Sequence, residues 1–491
     1  MSTPKPLAKV REIHERRKRK AEAENTPAAY TDLGSASHLA LELGHVVRYV
    51  GTWSSWLVFD GRRWVRDEQR RVEALAADVI RADLARAAEE IKVAAETNTL
   101  APGANDRVKW ALKSHDAKRI RAAVSLIPAA DQRLAITHRA LDCDPWALNV
   151  ANGTLDLRTG KLRPHDSADL VTKLVPVIFD PAAKCPTWET FLVKAMGGDA
   201  ELVAYLQRMI GYALTGVVRE HVLGFLFGGG ANGKSTFLST MHALFGDYGA
   251  RAPRGLLFKH QGSQHETNLT TLFAARFVSC AEIGEADAFD EALVKDLTGG
   301  DPISARRMRE DFWTFDPTHK LFIAGNHRPR VRGTDEGIWR RIRLIPWSVE
   351  IPKAERDPEL PTKLLAELPG ILAWAVRGCA AWQAQGLGEP VAVSEATAAY
   401  REASDPLREF FEGYLVFGDH GAKVARRVLR EAYELWAREN GAEPLGAKRF
   451  AEGLRIRGVT DSKVRVFGKP VDAWQGVRFR TDDERMGEAA E

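Results

Sequence analysis

The sequence lacks long hydrophobic runs and has few cysteines. A membrane-spanning helix needs about 18 consecutive apolar residues, and the sequence contains no such stretch. The N-terminal stretch has charges without the apolar core of a secretory signal. The 4 cysteines stand too far apart for a CxxC zinc site or a secreted disulfide framework. These absences predict a cytoplasmic protein, without a membrane partner, whose cysteines are reduced: Cys143, Cys185, Cys280 and Cys379.

Net charge is also low. A formal charge of +4 over 491 residues does not by itself indicate a polyanionic partner. The charge is unevenly placed, however, because residues 16–20 are consecutive cations, so 1–30 is expected to be a basic disordered arm or merely a solvated tail. Residues 482–491 are expected to form an acidic disordered tail. With 45% hydrophobic and 28% charged side chains, the chain has the composition of a globular protein of roughly two to four domains.

Residues 31–190 are expected to form a mixed α+β N-terminal domain. Two apolar runs around Asp60-Gly61 predict one β-hairpin, and Asn152-Gly153 predicts another. Stretches 74–97 and 104–127 are rich in Ala, Leu, Arg and Glu, which favours helices. Three tryptophans near the first hairpin are either core residues or a platform for stacked bases: Trp53, Trp56 and Trp64.

Short apolar runs alternate with helical stretches over 191–385, which indicates an α/β nucleotide-binding core. Within it, an apolar strand at 222–227 leads into a glycine-rich loop and then a helix. This is the Walker A pattern in its required strand-loop-helix setting, which is too restrictive for a chance glycine loop. Because glycines let backbone N–H groups point at phosphate, Lys234 is predicted to reach the β and γ phosphates of ATP, and Ser235 to ligate Mg²⁺. The predicted nucleotide-binding residues are Gly228, Gly229, Gly230, Ala231, Asn232, Gly233, Lys234, Ser235 and Thr236.

Polar side chains follow two more apolar runs. Glu282 comes after the strand-like run 276–281 and is expected to hold Mg²⁺ or its waters, with Glu285 as a second candidate that activates water. A solvated loop acid is the alternative for either residue. Asn326 follows the run 320–325, where a neutral amide can sense the γ phosphate without adding negative charge.

Two adjacent arginines follow the asparagine in sequence. An arginine presented to the nucleotide of a neighbouring subunit neutralises the charge of the transition state, and Arg341 is the candidate, with Arg340 as its fallback. A salt bridge within one subunit is the alternative. Because such an arginine arrives from another copy of the chain, the assignment predicts a homo-oligomeric ring.

These motifs together resemble those of the superfamily 3 helicases, and more closely the phage and plasmid primase-helicase proteins related to the poxvirus helicase-primase ATPase. The resemblance rests on the Walker A loop, Glu282, Lys295 with 297–301, Asn326 with His327 and Pro329, and Arg340-Arg341. It extends, less specifically, to 56–64 and 152–157.

The resemblance implies a fold and a set of partners. The fold is an AAA+-like P-loop NTPase core, and the activity is that of a replicative helicase of a mobile element, a hexameric ring that uses ATP and Mg²⁺ on single-stranded and forked DNA. It also implies that four cations touch DNA in the channel of the ring: Lys295, Arg306, Arg307 and Arg309. The last three lie in a β-hairpin predicted between 303 and 315.

Residues 386–481 are predicted to form a winged-helix-like DNA-binding domain. An amphipathic helix whose apolar face includes Val424 and Val428 is followed by a short basic helix at 447–457 and two strand-like runs. The resemblance favours this interpretation over a small helical cap whose charges only keep the protein soluble. Lys448 and Arg449 are the predicted contacts with duplex phosphates.

A primase would need a carboxylate cluster or a cysteine quartet beside Asp142-Cys143-Asp144, and the sequence has neither. Primers are therefore expected to come from a separate protein. Two other functions fit the same motifs: an origin-binding initiator whose ATPase only melts DNA, and a DNA-independent ATPase switch.

Overall fold

The computed structural model describes residues 31–97, 104–253, 256–259, 266–281, 284, 287–308, 310–331, 336–440, 443–467, 469–481 and 484. The predicted arm at 1–30 lies outside the described residues, and so does almost all of the predicted acidic tail. Within the described part of the chain, no single helix is long and apolar enough to cross a membrane. One bent pair, Lys353–Ala366 with Leu368–Gln385 at 74°, passes that test by length and composition only.

The N-terminal region is a small sheet covered by helices. Its strands are β1 (Val47–Val50), β2 (Ser55–Phe59), β3 (Trp64–Arg66) and β4 (Ala135–Ile136), and they lie in the order β3-β2-β1-β4. Its helices are α1 (Asp32–Leu43), α2 (Arg71–Thr97), α3 (Ala104–Ser114) and α4 (Ala117–Ala130). The predicted hairpin at Asp60-Gly61 is confirmed, since β2 pairs antiparallel with β3. Trp53 and Trp64 are buried core residues.

A three-stranded meander follows, made of β5 (Ala147–Val150), β6 (Gly153–Asp156) and β7 (Lys161–Arg163). The second predicted hairpin is confirmed, but its turn lies one residue earlier than Asn152-Gly153, because Val150 pairs with Gly153. Gly153 is needed for a different reason. A Cβ there would lie 2.2 Å from the carbonyl oxygen of Arg163 on β7, so only glycine lets these strands approach.

The central region holds the nucleotide-binding pattern. In chain order its strands are β8 (Leu223–Phe227), β9 (Gly249–Arg251), β10 (Phe277–Ala281), β11 (Ile303–Ala305), β12 (Trp313–Phe315), β13 (Lys320–Gly325) and β14 (Ile342–Pro346). Five of them form a parallel sheet in the order β14-β8-β13-β10-β9, and β11 and β12 form a separate antiparallel hairpin. The three apolar runs that predicted strands are thus the three middle strands of one sheet.

Helices cover both faces of this sheet, as an all-parallel sheet requires. The helices are α5 (Pro186–Ala195), α6 (Ala200–Leu214), α7 (Lys234–Phe245), α8 (Glu291–Gly299), α9 (Glu336–Trp339), α10 (Leu360–Ala366), α11 (Leu368–Gln385) and α12 (Val391–Ala403). Leu226 and Phe322 share one hydrophobic cluster with α5, α6, α7 and α11. Phe225 and Ile323 point to the other face and share a cluster with α8 and the β11–β12 hairpin.

Helices at or just beyond two of the domain boundaries expected from the sequence pack with the central region. Helix α5 runs through the boundary at 190, and its Trp188 and Phe191 both belong to the cluster under the central sheet. Helix α12 lies beyond the boundary at 385 but contacts the edge strand β14, where Thr397 Oγ1 accepts from the backbone N–H of Leu344 at 3.0 Å. Both helices therefore pack with the central region.

The C-terminal region contains α13 (Arg408–Tyr414), β15 (Leu415–Ala425), α14 (Arg426–Glu439), α15 (Ala447–Ile456), β16 (Thr460–Val466) and β17 (Lys469–Phe479). The strands pair antiparallel in the order β15-β17-β16 around an aromatic core. The predicted amphipathic helix, basic helix and two strands are confirmed. Val424 and Val428 were assigned wrongly to the apolar face, because Val424 lies in β15 and Val428 is 51% exposed.

Two buried cations hold the end of α6 and the β5–β7 meander against the central sheet. Arg276, which is 4% exposed, donates to the carbonyl oxygens of Leu214 at 2.5 Å and Ala147 at 2.7 Å. Lys320 donates to the carbonyl oxygens of Thr215 and Thr318. Burial lowers the pKa of both groups. Because these carbonyls would lose their donors, removing either cation costs more than the loss of its charge alone.

His319 lies beside Lys320 and gives stability a pH dependence. It is 2% exposed, and burial, assisted by the charge of Lys320, lowers its pKa from 6.5 to about 4. As the pH falls through 6.5, the unfolded imidazole takes up a proton before the folded one, so stability is full above 6.5 and is lost toward pH 4. Between about pH 7.5 and about pH 5, the wild-type chain should lose about 2 kcal/mol more free energy of unfolding than His319→Leu, measured by urea denaturation. Equal losses in the two proteins would contradict this prediction.

Candidate functional site

The glycine-rich loop joins β8 to α7 at the carboxyl end of the central sheet. Its backbone turns through left-handed conformations at Ala231, with φ 59°, and at Gly233, with φ 89°. A Cβ at Gly228 would lie 2.0 Å from the carbonyl oxygen of Trp347, so glycine is required there by close packing. Helix α7 begins at Lys234, and the positive end of its dipole faces the loop, which suits an anion such as phosphate.

Lys234 is folded into the loop that precedes it. Its Nζ donates to the carbonyl oxygens of Gly228 and Gly229, both at 2.8 Å, and to Asn232 Oδ1 at 3.0 Å. The residue is 7% exposed, and burial lowers the pKa of the ammonium to about 8. These oxygens satisfy the ammonium, and phosphate oxygens are acceptors that can replace them.

Asn232 fixes the shape of the loop. It is 3% exposed, and its Nδ2 donates to the carbonyl oxygens of Gly229 at 2.7 Å and Trp347 at 2.9 Å. Trp347 follows β14, so Asn232 ties the loop to the neighbouring strand. The side chain of Ser235 is exposed on the first turn of α7, and that of Thr236 is half-buried. A hydroxyl exposed at this position can reach a metal ion bound to phosphate.

The other predicted catalytic positions lie at the ends of neighbouring strands. β13 pairs with β8, and the backbone N–H of Gly228 donates to the carbonyl oxygen of Gly325 at 3.4 Å. This contact places the exposed Asn326 next to the start of the loop. Glu282 and Glu285 lie outside the described residues. The strand β10 ends one residue before Glu282 and pairs with β13.

A cavity of about 600 Å³ opens beside the loop. Its walls come from the loop and the start of α7, from α5, and from the segment after β14, and the lining is mostly apolar with charges at 194, 355, 356 and 357. Lys194 Nζ and Glu355 Oε2, 2.6 Å apart, join two of these walls. The sequence did not predict this cavity, because its walls come from segments far apart in the chain. The lining includes Thr187, Thr190, Phe191, Ile351 and Leu360.

The two candidate arginines have different surroundings. Arg341 is half-buried, and it donates through Nε to Thr298 Oγ1 at 3.0 Å and through Nη1 to the carbonyl oxygen of Gly337 at 2.7 Å. These bonds tie it to its own subunit. The side chain of Arg340 is exposed and has no hydrogen-bond or ion-pair partner among the described residues.

The basic hairpin is present, with Ile303 opposite Phe315. Its base packs on the N-terminal region, where His138 Nε2 donates to the carbonyl oxygen of Thr314 at 2.7 Å and Trp53 lies against Trp313. The guanidinium of Arg307 lies over Trp53, 5.3 Å from the ring centroid, and its Nη1 lies 3.7 Å from Glu310 Oε2. Burial lowers the pKa of Arg307, and repulsion from Arg66 lowers it further.

The remaining predicted cations of this surface differ in exposure. Arg306 is exposed at the end of β11 and lies over the ring of Phe312 at 4.6 Å. Lys295 is half-buried on α8, and Arg309 lies outside the described residues. The hairpin therefore brings Arg306 to the surface, whereas Arg307 contacts the N-terminal region.

Two more predicted sites can be placed. Lys448 and Arg449 are exposed on the first turn of α15, without an ion-pair partner in the described part of the chain. Asp142 is not arranged as a metal ligand, since it accepts from the N–H of Thr172 at 2.9 Å and from its hydroxyl at 2.6 Å. No group of three or more His, Cys, Asp or Glu side chains that could hold a metal occurs among the residues described.

Comparison with known proteins is consistent with this arrangement. Residues 36–197 match a family described as D5 N terminal like, and residues 226–341 match a family of unknown function. The chain is 27% identical over 374 residues to an Acanthamoeba polyphaga mimivirus protein named as a helicase, covering 71% of this chain and 38% of that protein. It is 25% identical over 214 residues to an African swine fever virus protein named as a primase, covering 42% of this chain and 22% of that protein.

The fold resembles that of the NrS-1 C-terminal region, whose apo structure aligns with a TM-score of 0.52 at 11% identity, covering 89% of this chain and 97% of that one. The chain spans well under two thirds of the length of the curated relatives it matches. The matched N-terminal region, the viral relatives and the shared fold together support the chain as a member of the phage and viral primase-helicase family.

Proposed function

We propose that the chain is an ATP-dependent replicative DNA helicase of a mobile genetic element that works as a homo-oligomeric ring. One observation carries this proposal: a Walker A loop with Lys234 at its centre lies on a parallel sheet, and a hairpin with an exposed Arg306 packs on the same sheet. The nucleotide-binding loop and the cationic hairpin are thus joined through one hydrophobic cluster. Movement of the sheet on hydrolysis would be passed to the hairpin.

The nucleotide assignment follows from the geometry of the loop. The phosphates lie on the loop backbone and the start of α7, and Lys234 exchanges its carbonyl partners for β and γ oxygens. The cavity lined by Thr190 and Ile351 takes the nucleoside, because it adjoins Gly233 and Thr236 and has the size and apolar lining of a ligand site.

The magnesium assignment uses two oxygen ligands, Ser235 and Glu282, which are of the kind that Mg²⁺ prefers. When bound, Mg²⁺ neutralises charge on the phosphates. Asn326 orients the attacking water beside the γ phosphate, and Glu282, or Glu285, polarises it.

The arginine is supplied by the adjacent subunit. Exposure favours Arg340 for this role, with Arg341 holding α8 and α9 in place through Thr298 and Gly337. Because each site then needs two copies of the chain, a closed ring is the assembly that completes every site, and a hexamer is the form we propose.

DNA contacts are proposed on two surfaces. Arg306, Arg309 and Lys295 face single-stranded DNA in the channel. The C-terminal region supplies the second surface, since its order of helix, strand, two helices and two strands supports a winged-helix arrangement in which Lys448 and Arg449 meet duplex phosphates. Primers come from a separate protein.

A strand-displacement assay tests the proposal. Purified protein with ATP and Mg²⁺ is incubated with forked duplexes that carry a 5′ tail, a 3′ tail or both, and we expect unwinding that requires ATP hydrolysis and one tail polarity.

The exposed cations on α15 also favour a second function, an origin-binding initiator. Sequence-specific footprints without strand displacement would support the initiator and contradict the helicase. A rate of ATP hydrolysis that does not change when DNA is added would contradict both functions.

A further inference from the structure

The turn between β16 and β17 exposes an aromatic ring in an unusual way. Phe467 is 102% exposed, the highest value of any large hydrophobic side chain in the described part of the chain. Val466 pairs with Lys469, so Phe467 lies in a two-residue turn. Its φ of 50° is left-handed, a conformation that turns of this kind normally give to glycine or asparagine and that bulky side chains avoid. The ring therefore contributes nothing to the core and occupies a position that another residue would stabilise better.

Three cations surround this ring along the hairpin. Lys463 and Arg465 lie on one face of β16, and Lys469 begins β17. All three are exposed, and none has an ion-pair partner within 4 Å among the described residues. The register places Asp472 opposite Lys463, so one carboxylate lies on the same face.

The arginines of α14 in the same region are different. Arg427 pairs with Glu431 and Arg430 pairs with Glu434, each at 2.7 Å. Their charges are neutralised locally, whereas those of the hairpin are not. Among the described residues of this region, exposed cations without an ion-pair partner thus lie on the hairpin that carries Phe467 as well as on the first turn of α15.

We propose that the β16–β17 hairpin is a duplex DNA wedge. Phe467 stacks on the terminal base pair at the junction between duplex and single strands, and Lys463, Arg465 and Lys469 hold the flanking phosphates. The exposed ring can stack on the flat face of a base, and the cations around it can bind phosphates. DNA offers both groups at regular spacing. Aromatic and aliphatic wedges unstack base steps in this way when cations anchor the backbone. The proposal rests on the proposed helicase function and adds the element that meets the duplex.

The test uses the full chain and forked DNA with 2-aminopurine in the base pair at the junction. Wild-type protein should raise the 2-aminopurine fluorescence, because the labelled base unstacks. Phe467→Ala should lose this signal and bind the fork roughly tenfold more weakly, whereas Phe467→Trp should retain both. Leu435→Ala is the matched control, since Leu435 is 57% exposed on α14 in the same region and should behave as wild type.

The cations are tested by the salt dependence of binding. Lys463→Gln and Arg465→Gln should each lower the slope of log affinity against log salt by about one, with little change in sequence preference. If Phe467→Ala binds the fork and raises fluorescence as wild type does, the wedge is overturned and the helicase assignment stands. If Phe467→Ala loses affinity equally for tailless single strands, the ring stacks on single-stranded DNA and the duplex assignment is wrong. If wild-type protein does not bind forked DNA at all, both proposals fail.

Discussion

Lys234→Ala is expected to lower the turnover of ATP by roughly 100- to 1000-fold or more, because it removes the ammonium assigned to the β and γ phosphates. Steady-state phosphate release with Mg²⁺ and single-stranded DNA measures the effect. The variant also removes the Lys234 donor from the carbonyl oxygens of Gly228 and Gly229, of which only Gly229 keeps the bond from Asn232 Nδ2. Weaker nucleotide binding is therefore expected alongside the loss of turnover.

Ser239→Ala is the control for this variant. Ser239 lies on the same helix with an exposed side chain, so its removal should change neither folding nor turnover. Circular dichroism should show that Lys234→Ala retains its helices, since the lysine is the first residue of α7. A correctly folded Lys234→Ala protein with normal turnover would remove the nucleotide assignment.

Arg340→Ala is expected to lower turnover by about 10³- to 10⁵-fold while nucleotide affinity changes little, because an arginine supplied in trans acts on the charge of the transition state. Arg341→Ala should behave differently. Its guanidinium bonds to Thr298 and Gly337, so its loss should lower thermal stability as well as turnover. The comparison of turnover, nucleotide affinity and melting temperature for the two variants decides which arginine acts on the neighbouring site.

Mixing inactive variants tests whether the arginine acts between subunits. Lys234→Ala has an intact Arg340, and Arg340→Ala has an intact Walker loop. In an equimolar mixture that exchanges subunits, about a quarter of the interfaces combine an intact loop with an intact arginine, so activity should return to about a quarter of the wild-type value. An arginine that acts within its own chain gives no recovery, because every chain then carries one defect.

Local patterns were sufficient to predict most elements of the central region. β8, β10 and β13 were expected as apolar runs, and each ends within a residue of the predicted boundary, because a strand buried on both faces must be apolar along its whole length. The Walker loop could be predicted for a related reason. Its function depends on backbone conformation, which glycine spacing specifies locally.

Contacts between distant residues could not be predicted in this way. Arg307 lies over Trp53, more than two hundred residues earlier in the sequence, and no local pattern indicated this contact. The cavity beside the loop joins segments near 190 and 355. Neither segment carries a motif, and their proximity depends on how α5 packs against the sheet.

The sequence alone determined that a phosphate-binding loop is present, which strands support it, and that acidic, amide and arginine side chains follow those strands, because each of these depends on residue type and local spacing. Only the tertiary structure decided which of these side chains are available. It buried Lys234 among loop carbonyls, tied Arg341 to its own subunit, left Arg340 exposed and placed Phe467 in solvent. The reason is that availability is set by which distant surfaces a side chain meets after packing, and no local pattern encodes that.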